Sequence, residues 1–505
     1  MYPYDVFNCQ AGEFLKFKEE GIMSKKAILG LILGLSLSFG SFCFAETPTV
    51  LGEYLIRVDV QNPTVDDMSI MLGVEVKSMS HIDENLYKIT IDKSVEVKMK
   101  AEGLSLRQEL NNVARAKYSP IISIQPNFIY TIALARSDIG PQILNTRDGK
   151  GEKIIDNPPF KPAESNPASG TDTLQSKQWG LQKSKVKEAW AVERGTKDFV
   201  VAVIDTGVDY NHEDLRANMW HNPGEIPGNG IDDDGNGYID DVVGWDFIDN
   251  DAFPYDKMSS IRVTGNPGHG THCSGVIGAV GDNAKGTSGV VQKVSIMALR
   301  FINDKGEGTS ADAVKALRYA MKMGVKVVSN SWGGEAGDED DSELKLVAQE
   351  AEQQGVILVF AAGNGRNGVG YNNDTDRKPV VPGSFPHNSI IAVAAMDVND
   401  GLGVFSNFGV ESVDIGAPGV HIMSTVPLDG YEDEIKLGSL TVASWDGTSM
   451  ATPHVAGAVA LTWIHHPNES AAQIKQRILN SATPVAALNG KVKTGGILNV
   501  LQAIK

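Results

Sequence analysis

From residue 178 onward, short and almost wholly apolar runs recur, at 199–204, 294–301, 325–328, 356–361 and 390–395. Runs of this length with both alternate positions apolar fit strands covered on both faces. Between them lie segments whose apolar positions repeat at helical spacing, chiefly 310–322 and 342–354. The second follows Asp338-Glu339-Asp340-Asp341, where negative charge suits a helix N-terminus, and it stops at Gly355. Strand and helix in alternation predict an α/β domain over 176–505, built on a doubly wound, mostly parallel sheet. In such sheets functional groups collect beyond the carboxyl ends of the strands.

Residues 46–131 carry a different pattern. Strand-like segments at 54–60, 85–92 and 121–132 and a helical stretch at 104–116 predict a small α+β module. Residues 132–175 have no apolar periodicity and gather Pro, Ser, Gly and Asn at Asn157-Pro158-Pro159 and across 162–170, so a linker is expected there. The first 45 residues are addressing information. Met23-Ser24-Lys25-Lys26 precedes an apolar run at 27–37, and Cys43-Phe44-Ala45 ends in a cleavage-like pattern. A signal peptide starting at Met23 and cut after Ala45 is expected, giving a secreted product, extracellular or periplasmic. The alternative is a retained anchor over 27–45, nearly long enough to span a bilayer. Ser and Gly in its second half weaken that reading, and no stable membrane anchor is expected.

Composition narrows the partners. A net charge of −18 excludes a nucleic-acid partner and repels anionic membrane surfaces, while it accommodates cations. The apolar share of 42% is that of a soluble globular protein. Of three cysteines, Cys9 and Cys43 fall in the segment expected to be removed. Cys273 then remains alone, and no internal disulfide can form.

Candidate chemistry lies in four segments at strand ends and helix starts. Ile204-Asp205-Thr206-Gly207 delivers a carboxylate at the end of a buried strand. Gly268-His269-Gly270-Thr271-His272 opens an apolar helix with an imidazole. Gly363-Asn364-Gly365 follows another strand, and Gly447-Thr448-Ser449-Met450-Ala451-Thr452-Pro453-His454 opens a helix of small residues, with Pro453 expected in its first turn. Acyl transfer needs a nucleophile, a base, a group to orient that base, and donors for an oxyanion. Ser449, His269, Asp205 and Asn364 match those roles in that order. Singly, each has an ordinary reading as a turn, cap or surface residue. Their joint placement makes the catalytic reading the stronger one.

On these motifs, residues 176–505 resemble the catalytic domain of subtilisin-like serine proteases, in which the triad runs Asp, His, Ser along the chain. The resemblance implies Asp205, His269 and Ser449 as triad, Asn364 as oxyanion donor, and Ser331-Trp332-Gly333 as the strand that pairs with extended polypeptide substrates. Cys273 stands where many relatives have Val, although a Cys-bearing branch exists; a small buried residue beneath the base is expected. Residues 46–131 resemble, less specifically, the family's propeptide, with Gln125-Pro126-Asn127 near its usual ending. The chain's own propeptide is then an intramolecular inhibitor, cut off between Thr131 and Lys177.

One further loop places oxygens at alternate positions: Asp232, Asp234, Asn236, the Tyr238 carbonyl and Asp240. That is the spacing of an EF-hand-type loop and points to structural Ca2+. Position 12 is Val243, so the last carboxylate must come from elsewhere, with Asp241 and Asp246 as candidates. Three other functions compete. An aspartic protease needs a second Asp-Thr-Gly or Asp-Ser-Gly, which the chain lacks. A zinc hydrolase on His269 and His272 lacks the usual Glu and third ligand. A catalytically inactive, calcium-dependent binding module would have no need of all four catalytic groups.

Overall fold

The computed structural model describes residues 47–102, 104–116, 119–132, 157–161, 169–259, 262, 265–337, 341–437 and 440–505. The expected signal segment, most of the linker and Asp338 to Asp340 lie outside them.

The first layer is antiparallel. β1 (Thr49–Val58) lies between β3 (Leu86–Ile91) and β4 (Ile121–Ile132), and β2 (Val76–Asp83) forms the outer edge against β3. Three helices, α1 (Val65–Leu72), α2 (Lys93–Ala101) and α3 (Leu106–Ala114), accompany these strands. Tyr54, Ile56, Ile89 and Ile91 pack against Met68, Leu106 and Leu110, so this layer has its own core. The strand expected at 54–60 runs instead from Thr49 to Val58. β2, α1 and α2 were absent from the sequence expectation. β2 buries only Val76 fully, so an edge strand of this kind carries almost no hydrophobic signal.

The apolar runs form the main sheet. β5 (Gly195–Asp205) is flanked by β7 (Lys293–Arg300) and β9 (Val327–Asn330), with β6 (Gly244–Asp246) outside β7. On the other side β11 (Ile357–Ala361), β13 (Ile390–Met396) and β14 (Ile415–Pro418) follow β9. These pairings are all parallel; only the outermost strand, Thr483–Pro484, pairs antiparallel, with Gly496–Ile497. Successive residues of one strand enter different cores, as alternation across a pleat requires. Val201 and Val203 join the core built on α7 (Thr448–His465), whereas Ala202 and Ile204 join that of α5 (Ser310–Lys322) and α6 (Ser342–Gln354). The sheet is doubly wound, as expected. α5 and α6 keep the bounds read from their periodicity. No helix among the described residues is long and apolar enough to cross a membrane.

The two parts share strands. The end of β4 runs antiparallel between β8 (Glu307–Thr309) and β10 (Trp332–Glu335), and β10 pairs on its far side with β12 (Val380–Val381). Ile132 lies opposite Trp332, and Thr131 opposite Gly333. Further hydrogen bonds fix the docking. Gln125 Oε1 accepts from Ser342 Oγ at 2.7 Å and from Glu343 N at 3.1 Å, and Asn127 Oδ1 accepts from Ala311 N at 3.1 Å. Gln125 and Asn127 thereby satisfy free donors in the first turns of α6 and α5. Arg57 Nη2 meets Glu343 Oε2 at 2.6 Å across the same interface. Two pieces of the expected linker also dock: Tyr210 Oη donates to Pro158 O, and Gly170 N donates to Asp282 O.

Candidate active site

β5 ends at Asp205, fully buried, and α4 (His269–Gly278) begins at the imidazole facing it. His269 Nδ1 donates to Asp205 Oδ1 at 2.7 Å, and Thr206 N donates to the same oxygen at 2.7 Å. The approach of helix to strand depends on Gly270: a Cβ there would lie 2.1 Å from the Gly207 carbonyl oxygen. Asp256, invisible to sequence reasoning because its loop has no pattern, ties both motifs together. Its carboxylate accepts from Thr206 Oγ1, Asn266 Nδ2 and Thr271 Oγ1, and Asn266 Oδ1 in turn accepts from His269 N at 2.9 Å. Burial pushes the Asp256 pKa up to about 6. For His269, burial works to lower the pKa, but the adjoining Asp205 carboxylate outweighs it and holds the imidazole well above its ordinary 6.5.

Ser449 is the second residue of α7. Its hydroxyl donates to Ser331 O at 2.8 Å, and Ser331 Oγ donates back to Ser449 O at 2.9 Å. Pro453 explains the second bond. It lies inside α7 rather than in the first turn as expected, and it has no N–H to offer the carbonyl of Ser449. Ser331 fills that vacancy, which fixes the strand position beside the hydroxyl. The structure therefore joins Asp205 to His269 and Ser449 to Ser331, without a hydrogen bond between His269 and Ser449. His269 Nε2 has no partner among the described residues.

Asn364 follows β11 between Gly363 at φ 105° and Gly365 at φ 68°, values that favour glycine. Its Oδ1 accepts from Thr448 N and Oγ1, both at 2.9 Å, which fixes the amide orientation. Nδ2 is buried without a partner, a donor held ready next to the first turn of α7. Trp332 is buried with edge contacts to Phe301, Phe360 and Tyr130, while Gly333 pairs with β4. Cys273 is a free buried thiol, its Sγ 3.9 Å from His269 Nδ1 and 3.6 Å from Ser449 O. Burial raises its pKa, so it beds the imidazole as a neutral group. His272 is turned away from His269: Nε2 donates to Ile422 O at 2.8 Å and its ring stacks on Trp445 at 4.0 Å. Burial lowers its pKa to about 3. The two histidines do not converge on one point, contrary to what a zinc pair requires.

In the acidic loop, Asp232 and Asp234 converge with Glu225, their oxygens within 4.8 Å of one another. None of the three has an ion-pair partner among the described residues. Glu225 brings a third carboxylate to the loop, where position 12 has Val243. It precedes the loop, so the twelve-residue register gave no signal for it. Neither Asp241 nor Asp246 belongs to this cluster. Asp241 accepts from Tyr319 Oη and Asn222 Nδ2, and Asp246 pairs with Arg300. Asp240 accepts from Asn229 N and Gly230 N, while its own N–H donates to Glu225 Oε2 at 3.0 Å. Asn236 Oδ1 accepts from Tyr238 N at 2.8 Å, a loop-closing turn. Three convergent oxygen ligands suit a hard cation such as Ca2+.

A buried carboxylate on an imidazole, a hydroxyl at a helix N-terminus and an unpaired amide donor, all beyond the ends of a doubly wound sheet, define a serine-type peptidase. The chain belongs to the subtilases: residues 196–498 match the Subtilase family. It is 35% identical to thermitase of Thermoactinomyces vulgaris over 332 residues, 66% of this chain and 97% of that protein. Identity to the thermophilic serine proteinase of Bacillus sp. (strain AK1) is 32% over 323 residues, 64% of this chain and 66% of that one. Subtilisin-like protease 1 of Plasmodium vivax is 30% identical over 348 residues, 66% of this chain but 51% of its own length. The chain is a serine-type endopeptidase.

Proposed function

We propose that this endopeptidase is exported as a self-processed zymogen, with Ser449 as nucleophile, His269 as base and Asp205 as the group that orients and charge-compensates the base. One observation carries the reading: β4 lies antiparallel on β10 and points along it toward Ser331, whose carbonyl holds the Ser449 hydroxyl. A bound polypeptide would take that course. Ser449 Oγ attacks the carbonyl carbon of the strand residue opposite Ser331, and His269 Nε2 takes the hydroxyl proton. Asn364 Nδ2 and the helix N-terminus receive the oxyanion. His269 then returns the proton to the leaving amine, and water hydrolyses the acyl ester by the same route. Ser331, Trp332 and Gly333 hold the substrate as a strand.

Residues 47–132 act in this reading as inhibitor and folding module, occupying the groove that substrates need. Ile132 is still strand-bound, so the cut falls beyond it, in a stretch largely outside the described residues. Export rests on the sequence pattern of residues 23–45. Glu225, Asp232 and Asp234 hold a structural Ca2+, which would stiffen the loop between β5 and β6. A binding module on a retired protease is disfavoured, because the unpaired imidazole nitrogen of His269 and the unpaired amide donor of Asn364 have no structural use. Expression of the full chain tests the proposal. The wild type is expected to yield a product with its N-terminus beyond Ile132, and Ser449→Ala to stay uncut there. Intact, active wild type would overturn the zymogen reading.

A further inference from the structure

The strand that fills the groove also displays what the groove selects. Tyr130 is 2% exposed, its ring set edge-on against Trp332 at 5.4 Å and 64°. Gly334 leaves room for it, since a Cβ there would lie 3.1 Å from Tyr130 Cδ1. At the bottom of the slot Tyr130 Oη donates to Asp341 Oδ2 at 2.7 Å. Asp341 is itself buried. Its other oxygen accepts from Leu344 N at 3.0 Å, capping α6, and from Gln125 Nε2 at 2.9 Å.

When the first layer leaves, Asp341 loses both Gln125 and Tyr130 and keeps the Leu344 amide. An aromatic slot then ends in a carboxylate with one oxygen unsatisfied. A phenylalanine would refill the ring contact and still leave that oxygen unpaired, whereas a tyrosine would satisfy both. Sites built to hydrogen-bond a substrate hydroxyl reject the analogue that lacks it. The register gives the position. Trp332 faces Ile132 and Gly333 faces Thr131, so Tyr130 is three residues before the one opposite Ser331. We propose that Asp341 is a specificity-determining residue, which makes the mature enzyme prefer tyrosine three residues upstream of the residue it acylates. This rests on the reading of β4 as a stand-in for substrate.

Peptides identical except for Tyr, Phe or O-methyltyrosine at that position test it with the processed enzyme. The Tyr peptide is expected to exceed the Phe peptide in kcat/KM by about 10–100-fold, as for a hydrogen bond to a charged acceptor. O-methyltyrosine, which cannot donate, should do no better than Phe. In Asp341→Ser the side chain still caps α6 but is too short to reach the phenol, so the Tyr/Phe ratio should fall to about one. Should that variant not fold, the wild-type comparison of Tyr with O-methyltyrosine decides alone. Cleavage of all three peptides at like rates overturns this proposal and leaves the protease reading standing, as does a ratio unmoved in a folded Asp341→Ser. Failure to cleave any of them sinks both.

Discussion

Gln125→Ala isolates the grip of the first layer on the catalytic groove. The Gln125 side chain bridges to the start of α6 by three hydrogen bonds. Its amide donates to the buried Asp341 carboxylate, a bond to a charged group worth about 1.5–3 kcal/mol. Its oxygen satisfies donors in the first turn of α6, a cap-like contribution of about 1 kcal/mol. The sum, about 2.5–4 kcal/mol, corresponds to roughly 10²–10³-fold in an inhibition constant. The assay compares residues 47–132, wild type and Gln125→Ala, as inhibitors of the processed enzyme, with circular dichroism to verify that both fold. An inhibition constant within about threefold of wild type would refute the reasoning, since it is well below what even one such bond contributes.

Three other outcomes are expected. Because Asp205 raises the His269 pKa and the base must be neutral to accept a proton, kcat/KM should rise with pH through a limb above 6.5. Asp205→Asn should move that limb to lower pH and cut kcat by about 10⁴, read from a pH–rate profile. Asn364→Ala should lower kcat by about 10²–10³ with little change in KM, as for a lost oxyanion donor. A Glu225→Gln protein should lose most of the calcium-dependent rise in Tm and of the calorimetric binding signal that wild type shows after chelator treatment; unchanged calcium binding would remove Glu225 from the site.

The main sheet was legible because its strands are buried on both faces and so spell continuous apolar runs. α5 and α6 were legible to the residue, the latter ending at Gly355 in a left-handed conformation at φ 69°. Motif chemistry singled out Asp205, His269, Asn364 and Ser449, since each stands where a strand ends or a helix begins. What stayed hidden depends on contacts between distant segments. Glu225 reaches the loop from outside its register, and Asp256 is defined by what it binds across three segments. Asp341 was read as helix-end charge, although it also serves as receptor for Gln125 and Tyr130. Short strands such as β8 and β10 are defined by pairing with distant segments, β8 with β4 and β10 with β4 and β12. Pro453 was misplaced by one turn, because its tolerance inside α7 comes from Ser331, more than a hundred residues earlier.

The account stands on Ser449 and His269 acting as one unit, although the structure holds them in separate hydrogen bonds. Peptide hydrolysis by Ser449→Ala, His269→Ala and the double variant measures this directly. Each single change is expected to lower kcat by about 10⁶, with the double variant no slower than either. Losses that multiply in the double variant, or a single variant retaining comparable turnover, would contradict it.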